Sequence, residues 1–383
     1  MGGAFILSSP KTMSPNPSDP PPSPRDPLAD FGLPAGHAPP ARIALAAVHV
    51  AMAESYQEVD DPRANPVPHI DWGQTMTLRR QLDAQGFGVA EAMDTAQRYE
   101  LGWPVAERLI EETGQLNLSN GFVAGASVDH LSSPKSVAEI AEAWTFQCER
   151  IQAAGGVPVL LCVPELLHLA KNEDEFVRAY AEVIGAHTGP LLIHWLGAAF
   201  HPGLADYFPG DSFMRIMALD PTKVLGCKLS LLDADFERQT RRALLASGQI
   251  VLTGDDLNYP DLIIGESNEP AGKIDFLGRS YPTGDFSHAL LGVFNAIARP
   301  ASRALAFLAS GDPATAHKIL KTTEPLARIL FEPPTTNYKA GIAYLAYLQG
   351  RQSNPMLPFH AEKSRSPEHR NLIAQAAAQC GCG

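Results

Sequence analysis

From Arg42 onward the chain alternates between two patterns. Short apolar runs closed by turn residues read as buried strands, and stretches with apolar side chains every three or four positions read as helices. Strands are expected at residues 43–50, 89–94, 122–126, 157–163, 191–194, 224–230, 250–256 and 289–294. The clearest helix follows Ser136. Val137, Ile140, Ala141, Trp144, Cys148 and Ile151 keep to one face there, and Ser136 with Glu139 forms a capping box. Asn172 with Glu175 marks the next start, and Asp312-Pro313 places a cap just before a proline at the first helical position. Residues 262–287, rich in Gly, Pro and charge, read as an extended loop, and three helices follow at 301–310, 313–330 and 337–349.

Eight strands alternating with helices over about 260 residues suit a closed parallel barrel or a doubly wound open sheet. Periodicity does not separate the two. No Gly-x-Gly-x-x-Gly turn follows a strand, which weakens a dinucleotide-binding version.

Composition narrows the setting. Of the 33 prolines, 11 fall in residues 1–40, a segment expected to be disordered because it cannot bury enough apolar surface. The stretch from Met1 to Ser9 lacks the basic region and apolar length of a signal peptide, and no apolar run approaches the roughly 20 residues that span a bilayer. A net charge of −12 argues against nucleic acid and anionic membrane as partners. Five scattered cysteines, three inside apolar runs, fit reduced thiols in a cytoplasmic enzyme. Cys380 and Cys382 are read as incidental thiols on a frayed end.

Candidate chemistry centres on Lys228, near the end of the run Val224 to Ser230. Alternate strand residues share a face, so Gly226 is expected to leave room beside the amine. Apolar walls lower the pKa of an ammonium and free a neutral amine to attack a carbonyl.

Four motifs then carry a resemblance: Gly226-Cys227-Lys228, Leu252-Thr253-Gly254-Asp255-Asp256, Val123-Ala124-Gly125, and the tail from Leu308-Ala309-Ser310-Gly311-Asp312 through Phe331-Glu332-Pro333 to Lys339. In this order, over residues 42 to about 350, the chain resembles the dihydrodipicolinate synthase and N-acetylneuraminate lyase family. The resemblance implies a (β/α)8 TIM barrel with three additional C-terminal helices and a Schiff base on Lys228. It also implies a homo-oligomer, with Ile342, Leu345 and Leu348 against a neighbouring subunit. Residues 41–310 would form the barrel, 311–350 the helical extension, and 351–383 a tail with room for a short helix.

Two departures bear on chemistry. His194 stands where that family places a proton-shuttling tyrosine, and imidazole can serve there as general acid and base. Glu91-Ala92-Met93-Asp94-Thr95 replaces a Gly-x-x-Gly-Glu turn that holds a substrate carboxylate, so hydroxyl groups or a cation suit the site better than pyruvate. Thr95 also fits a helix N-cap.

Polar residues at the strand ends complete the candidate rim. His49, Glu91, Asp94, Asp129, His130, Asp255 and Asp256 are expected to bind substrate, with Lys228 and His194 catalytic and no cofactor or metal. The expected ligand is a small carbonyl compound, a keto acid or an oxidised sugar. Two other readings remain: a metal-dependent sugar isomerase or class II aldolase using rim carboxylates and histidines, and a barrel that binds without turnover.

Overall fold

A computed structural model of the chain describes residues 26–34, 38–61, 63–267 and 269–382, with the backbone alone for residues 95 and 96. The first 25 residues of the Pro-rich segment and the Thr95 side chain lie outside the described residues. Where description begins, Leu28 is buried and Asp26 pairs with Arg299.

Among the described residues ten strands form. They are β1 (Ala44–Ala47), β2 (Gly88–Glu91), β3 (Phe122–Ala126), β4 (Val157–Leu160), β5 (Leu191–Leu196), β6 (Val224–Ser230), β7 (Ile250–Thr253), β8 (Gly272–Phe276), β9 (Arg279–Thr283) and β10 (His288–Leu291). Eight close into a barrel in the order β1-β10-β7-β6-β5-β4-β3-β2, every pairing parallel. The open-sheet alternative is thereby excluded.

Strand parity explains the closure. Leu45, Ala47, Ala90, Val123, Leu192 and Leu252 pack together inside the barrel. Their neighbours Ala46, Val89, Ala124, Ile193 and Val251 pack with the surrounding helices. Both faces are buried, so each strand reads as an unbroken apolar run.

Local signals set the helix starts. Ser136 accepts from Glu139 N at 3.2 Å, Asn172 from Glu175 N at 2.9 Å, and Asp312 from Thr315 N at 2.9 Å. The return half of the capping box falls one residue early, with Lys135 N donating to Glu139 Oε2 at 2.8 Å. All six apolar positions assigned to one face of Val137–Ala153 are buried.

Residues 262–287 are not a loop. They hold the end of a helix at Tyr259–Ile264 and the antiparallel hairpin β8–β9, whose Ile274, Phe276 and Tyr281 join the barrel-interior cluster. Leu277 and Gly278 both take positive φ, as a two-residue hairpin turn of type I′ requires. Arg279 donates to Asn120 just ahead of β3, so the hairpin sits at the N-terminal end of the barrel, opposite the expected rim.

Helices Phe294–Ala309, Pro313–Leu330 and Tyr338–Leu348 follow the barrel. Beyond them, helix Pro367–Gln379 buries Ile373 and Ala377, and Cys380 and Cys382 are buried rather than frayed. Ile342 and Leu345 are buried within the chain itself, and Leu348 remains exposed. No helix among the described residues is long and apolar enough to cross a membrane.

Candidate active site

On β6, Lys228 lies in register with His194 of β5 and Leu252 of β7, the positions that face the barrel interior. The lysine is 5% exposed. Burial holds its amine below the ordinary lysine value, and Asp94 and Asp256 pull it back up through space. Gly226 does not make the room. A Cβ there would overlap the Ile250 carbonyl oxygen, so glycine at 226 lets β6 and β7 pair closely. The space beside the amine comes from Gly254, where a Cβ would overlap Ser230 Oγ and stand 2.9 Å from Lys228 Cε.

His194 is fully enclosed between Asp94 and Ser230. Its Nδ1 is 3.0 Å from Asp94 Oδ2, and its Nε2 is 3.3 Å from Ser230 Oγ. The Nδ1 approach is short but poorly aligned for a hydrogen bond, so it acts as a close electrostatic contact. Burial is the main cause of a lowered His194 pKa. Lys228 adds to the lowering, and Asp94 opposes it.

An unusual turn delivers Asp94. Residues Asp94–Arg98 wind as one π-helical turn, and Ala92 (φ 46°) and Gln97 (φ 68°) are left-handed without being glycine. Such geometry persists only where surrounding bonds hold it. Arg98 supplies them, donating to Ala92 O at 3.0 Å and Gly125 O at 2.7 Å. The same guanidinium grips Asp129 at 3.0 and 2.8 Å.

Beside this group opens a cavity of about 690 Å3 walled by Asp94, Glu100, Asp129, Glu165, Ser127 and Cys162, among others, with no lysine or arginine on its lining among the described residues. Lys228 and His194 are not on its surface. Asp94 is the lining group whose charge reaches the amine, so Lys228 lies behind that part of the wall.

The remaining rim candidates divide. Glu91 has the parity of Val89 and points to the helix layer. There it receives two hydrogen bonds from Arg79, each 2.8 Å, and one from Thr113 at 2.8 Å. His49 donates to Gln352 Oε1 at 2.7 Å and accepts from Asn295 at 3.1 Å, with burial pushing its pKa down to about 3. His130 accepts from Gln147 at 3.0 Å beside Trp103 and Phe146, off the cavity lining. Asp255 caps a turn, accepting from Leu257 N at 2.9 Å and Asn258 N at 3.0 Å. None of these four is placed to meet a ligand in the cavity. Asp129 lines it, but its charge is matched by Arg98.

Asp256 stays near the amine. It accepts from Val293 N at 2.7 Å, and burial lifts its pKa to about 7. Lys339 reaches back from the C-terminal helices to donate to Ala47 O at 3.0 Å, its pKa lowered by burial to about 7. Among the described residues, no three His, Cys, Asp or Glu side chains converge where they could hold a metal ion. Ser230 carries one sequence signal, its place two residues after Lys228 on the same strand face.

The family model described as "Protein of unknown function (DUF993)" matches residues 32–382, and the chain belongs to that family. No curated protein matches it in sequence. Similar solved structures include dihydrodipicolinate synthase from Bacillus clausii, 14% identical with a TM-score of 0.60, covering 88% of this chain and 97% of that one. The synthase from Aquifex aeolicus is 13% identical with a TM-score of 0.61, covering 89% and 98%. CdNal from Clostridium difficile, in complex with mannosamine, is 13% identical with a TM-score of 0.60, covering 88% and 97%. At these identities the likeness is one of fold.

Proposed function

We propose that this member of the DUF993 family is a lyase of the class I aldolase type, with Lys228 forming a Schiff base to a carbonyl substrate. One observation carries the reading. A buried lysine with a lowered pKa stands on β6 in register with a histidine whose ring is held against a carboxylate. A neutral amine for attack and a base for proton transfer are what imine chemistry needs. The likeness of fold to the synthases supports it.

His194 takes and returns protons in this scheme, and Asp94 orients the ring and stabilises its charged form. Substrate enters from the acidic cavity and reaches the amine between Asp94 and Cys162. Carboxylates on a wall that carries no lysine or arginine among the described residues disfavour a simple keto acid and favour a hydroxylated or amine-bearing carbonyl compound. The mannosamine in CdNal shows that a barrel of this fold can hold such a molecule.

The metal-dependent reading is less favoured, because His49, Glu91, Asp129 and Asp255 of its donors are held by protein partners. Reduction with borohydride in the presence of a carbonyl probe tests the proposal. A mass increase on the peptide carrying Lys228 is expected, and an unmodified Lys228 peptide overturns it.

A further inference from the structure

Both ring nitrogens of His194 face a polar neighbour. Nδ1 faces a carboxylate oxygen at 3.0 Å, where an unprotonated nitrogen would set two lone pairs against each other, so the proton belongs on Nδ1. Nε2 is then an acceptor, and its neighbour at 3.3 Å is the Ser230 hydroxyl, which must donate. His194 therefore meets the reacting centre through an intervening oxygen. That oxygen is beside Lys228. Ser230 and Lys228 share a strand face, and a single methyl at Gly254 would crowd both Ser230 Oγ and Lys228 Cε. Ser230 is 2% exposed, so bulk water is a poor substitute for it.

We propose that Ser230 is a catalytic residue that relays protons between Lys228 and His194, a role that rests on Lys228 being the imine-forming amine. As Nζ attacks, the C–N bond forms and the carbonyl π pair moves to oxygen. The nitrogen then gives a proton to Ser230 Oγ as the serine proton passes to His194 Nε2. The same path in reverse protonates the oxygen of the adduct. A second proton, from solvent in the cavity, lets that oxygen depart as water while the nitrogen lone pair forms C=N and leaves an iminium. Ser230 ends unchanged. The hydroxyl is the moving link, and Asp94 holds the ring that drives it.

Acetylacetone is a suitable probe, since it is neutral toward the acidic cavity and converts an imine-forming lysine into a stable enaminone with near-ultraviolet absorbance. Wild-type protein should form it on Lys228, with a rate that rises as His194 becomes neutral and a proton inventory in mixed light and heavy water that curves, as two moving protons require. Ser230→Ala should reach the same final adduct roughly 10²–10⁴-fold more slowly. Its rate should no longer follow the histidine, while Ser230→Cys restores part of both. The wild-type inventory stands even where Ser230→Ala does not fold. A linear inventory, or a Ser230→Ala protein with wild-type rate and pH profile, overturns the relay and leaves the Lys228 reading standing. Acetylacetone that never reacts at Lys228 in wild-type protein sinks both. Covalent labelling of Ser230 by a fluorophosphonate would make that serine a nucleophile and contradict the relay.

Discussion

Asp94 Oδ2, on the wall of an acidic cavity, lies 3.0 Å from His194 Nδ1, and this contact decides what the imidazole can do. Asp94 raises the His194 pKa against the larger lowering by burial. An amide in place of the carboxylate removes that support, so Asp94→Asn should keep histidine neutral to lower pH. The acidic limb of the pH–rate profile then moves to lower pH. The maximal rate should fall by roughly 10²–10⁴-fold as ring orientation is lost, while Lys228 still forms its adduct. Rates of adduct formation across pH check this. An unmoved limb would detach Asp94 from the mechanism.

Glu91 gives the opposite expectation. Its carboxylate is sealed against Arg79 in the layer between barrel and helices. Glu91→Gln leaves a buried guanidinium uncompensated and should cost roughly 3–5 kcal/mol of stability. Ligand preference should not change. Denaturant unfolding beside a binding panel separates the two, and a shifted preference at unchanged stability would return Glu91 to the rim.

Acid sensitivity follows from two buried histidines. His49 and His288 are held at about 3, against an ordinary histidine value of 6.5. In the unfolded chain they take up protons as pH falls through 6.5, and in the folded chain they resist until about 3. Their stabilising contribution is therefore full above the unfolded value and lost progressively between the two. Denaturation midpoints should fall across that window, and His49→Gln should flatten the slope.

Much of the barrel was legible because a parallel strand buried on both faces is an apolar run, and because caps such as Ser136 and Asn172 act locally. The hairpin β8–β9 was hidden by its charge. Lys273 and Asp275 are exposed, but Ile274, Phe276 and Tyr281 with the Leu277-Gly278 turn held the period-two signal. Site residues were harder. A polar side chain at a strand end can face the interior or the helices, and only the parity fixed by Ala90 sends Glu91 outward. Asp94 depends on a π-turn and on Arg98, which strand and helix periodicity does not encode.

The two glycines near Lys228 separate fold from function. Gly226→Ala would force a methyl onto the Ile250 carbonyl and should prevent β6 and β7 from pairing. Gly254→Ala presses mainly on Ser230 Oγ, with Leu229 O at 2.8 Å and Lys228 Cε at 2.9 Å. It should fold with reduced stability and lose adduct formation. Thermal melts with parallel trapping assays check both, and wild-type trapping by Gly254→Ala would contradict the placement of the amine.

In the proposed chemistry the Lys228 amine is the nucleophile. Its folded pKa lies below the usual 10.5, so the neutral form persists to lower pH than in free lysine. The direct measurement is mass mapping after borohydride reduction with a hydroxylated carbonyl compound, on wild-type protein and on Lys228→Arg. A single adduct is expected on the Lys228 peptide, and none in the arginine variant, whose guanidinium stays protonated. An adduct that persists in Lys228→Arg, or turnover retained by that variant and abolished by a chelator, would contradict it.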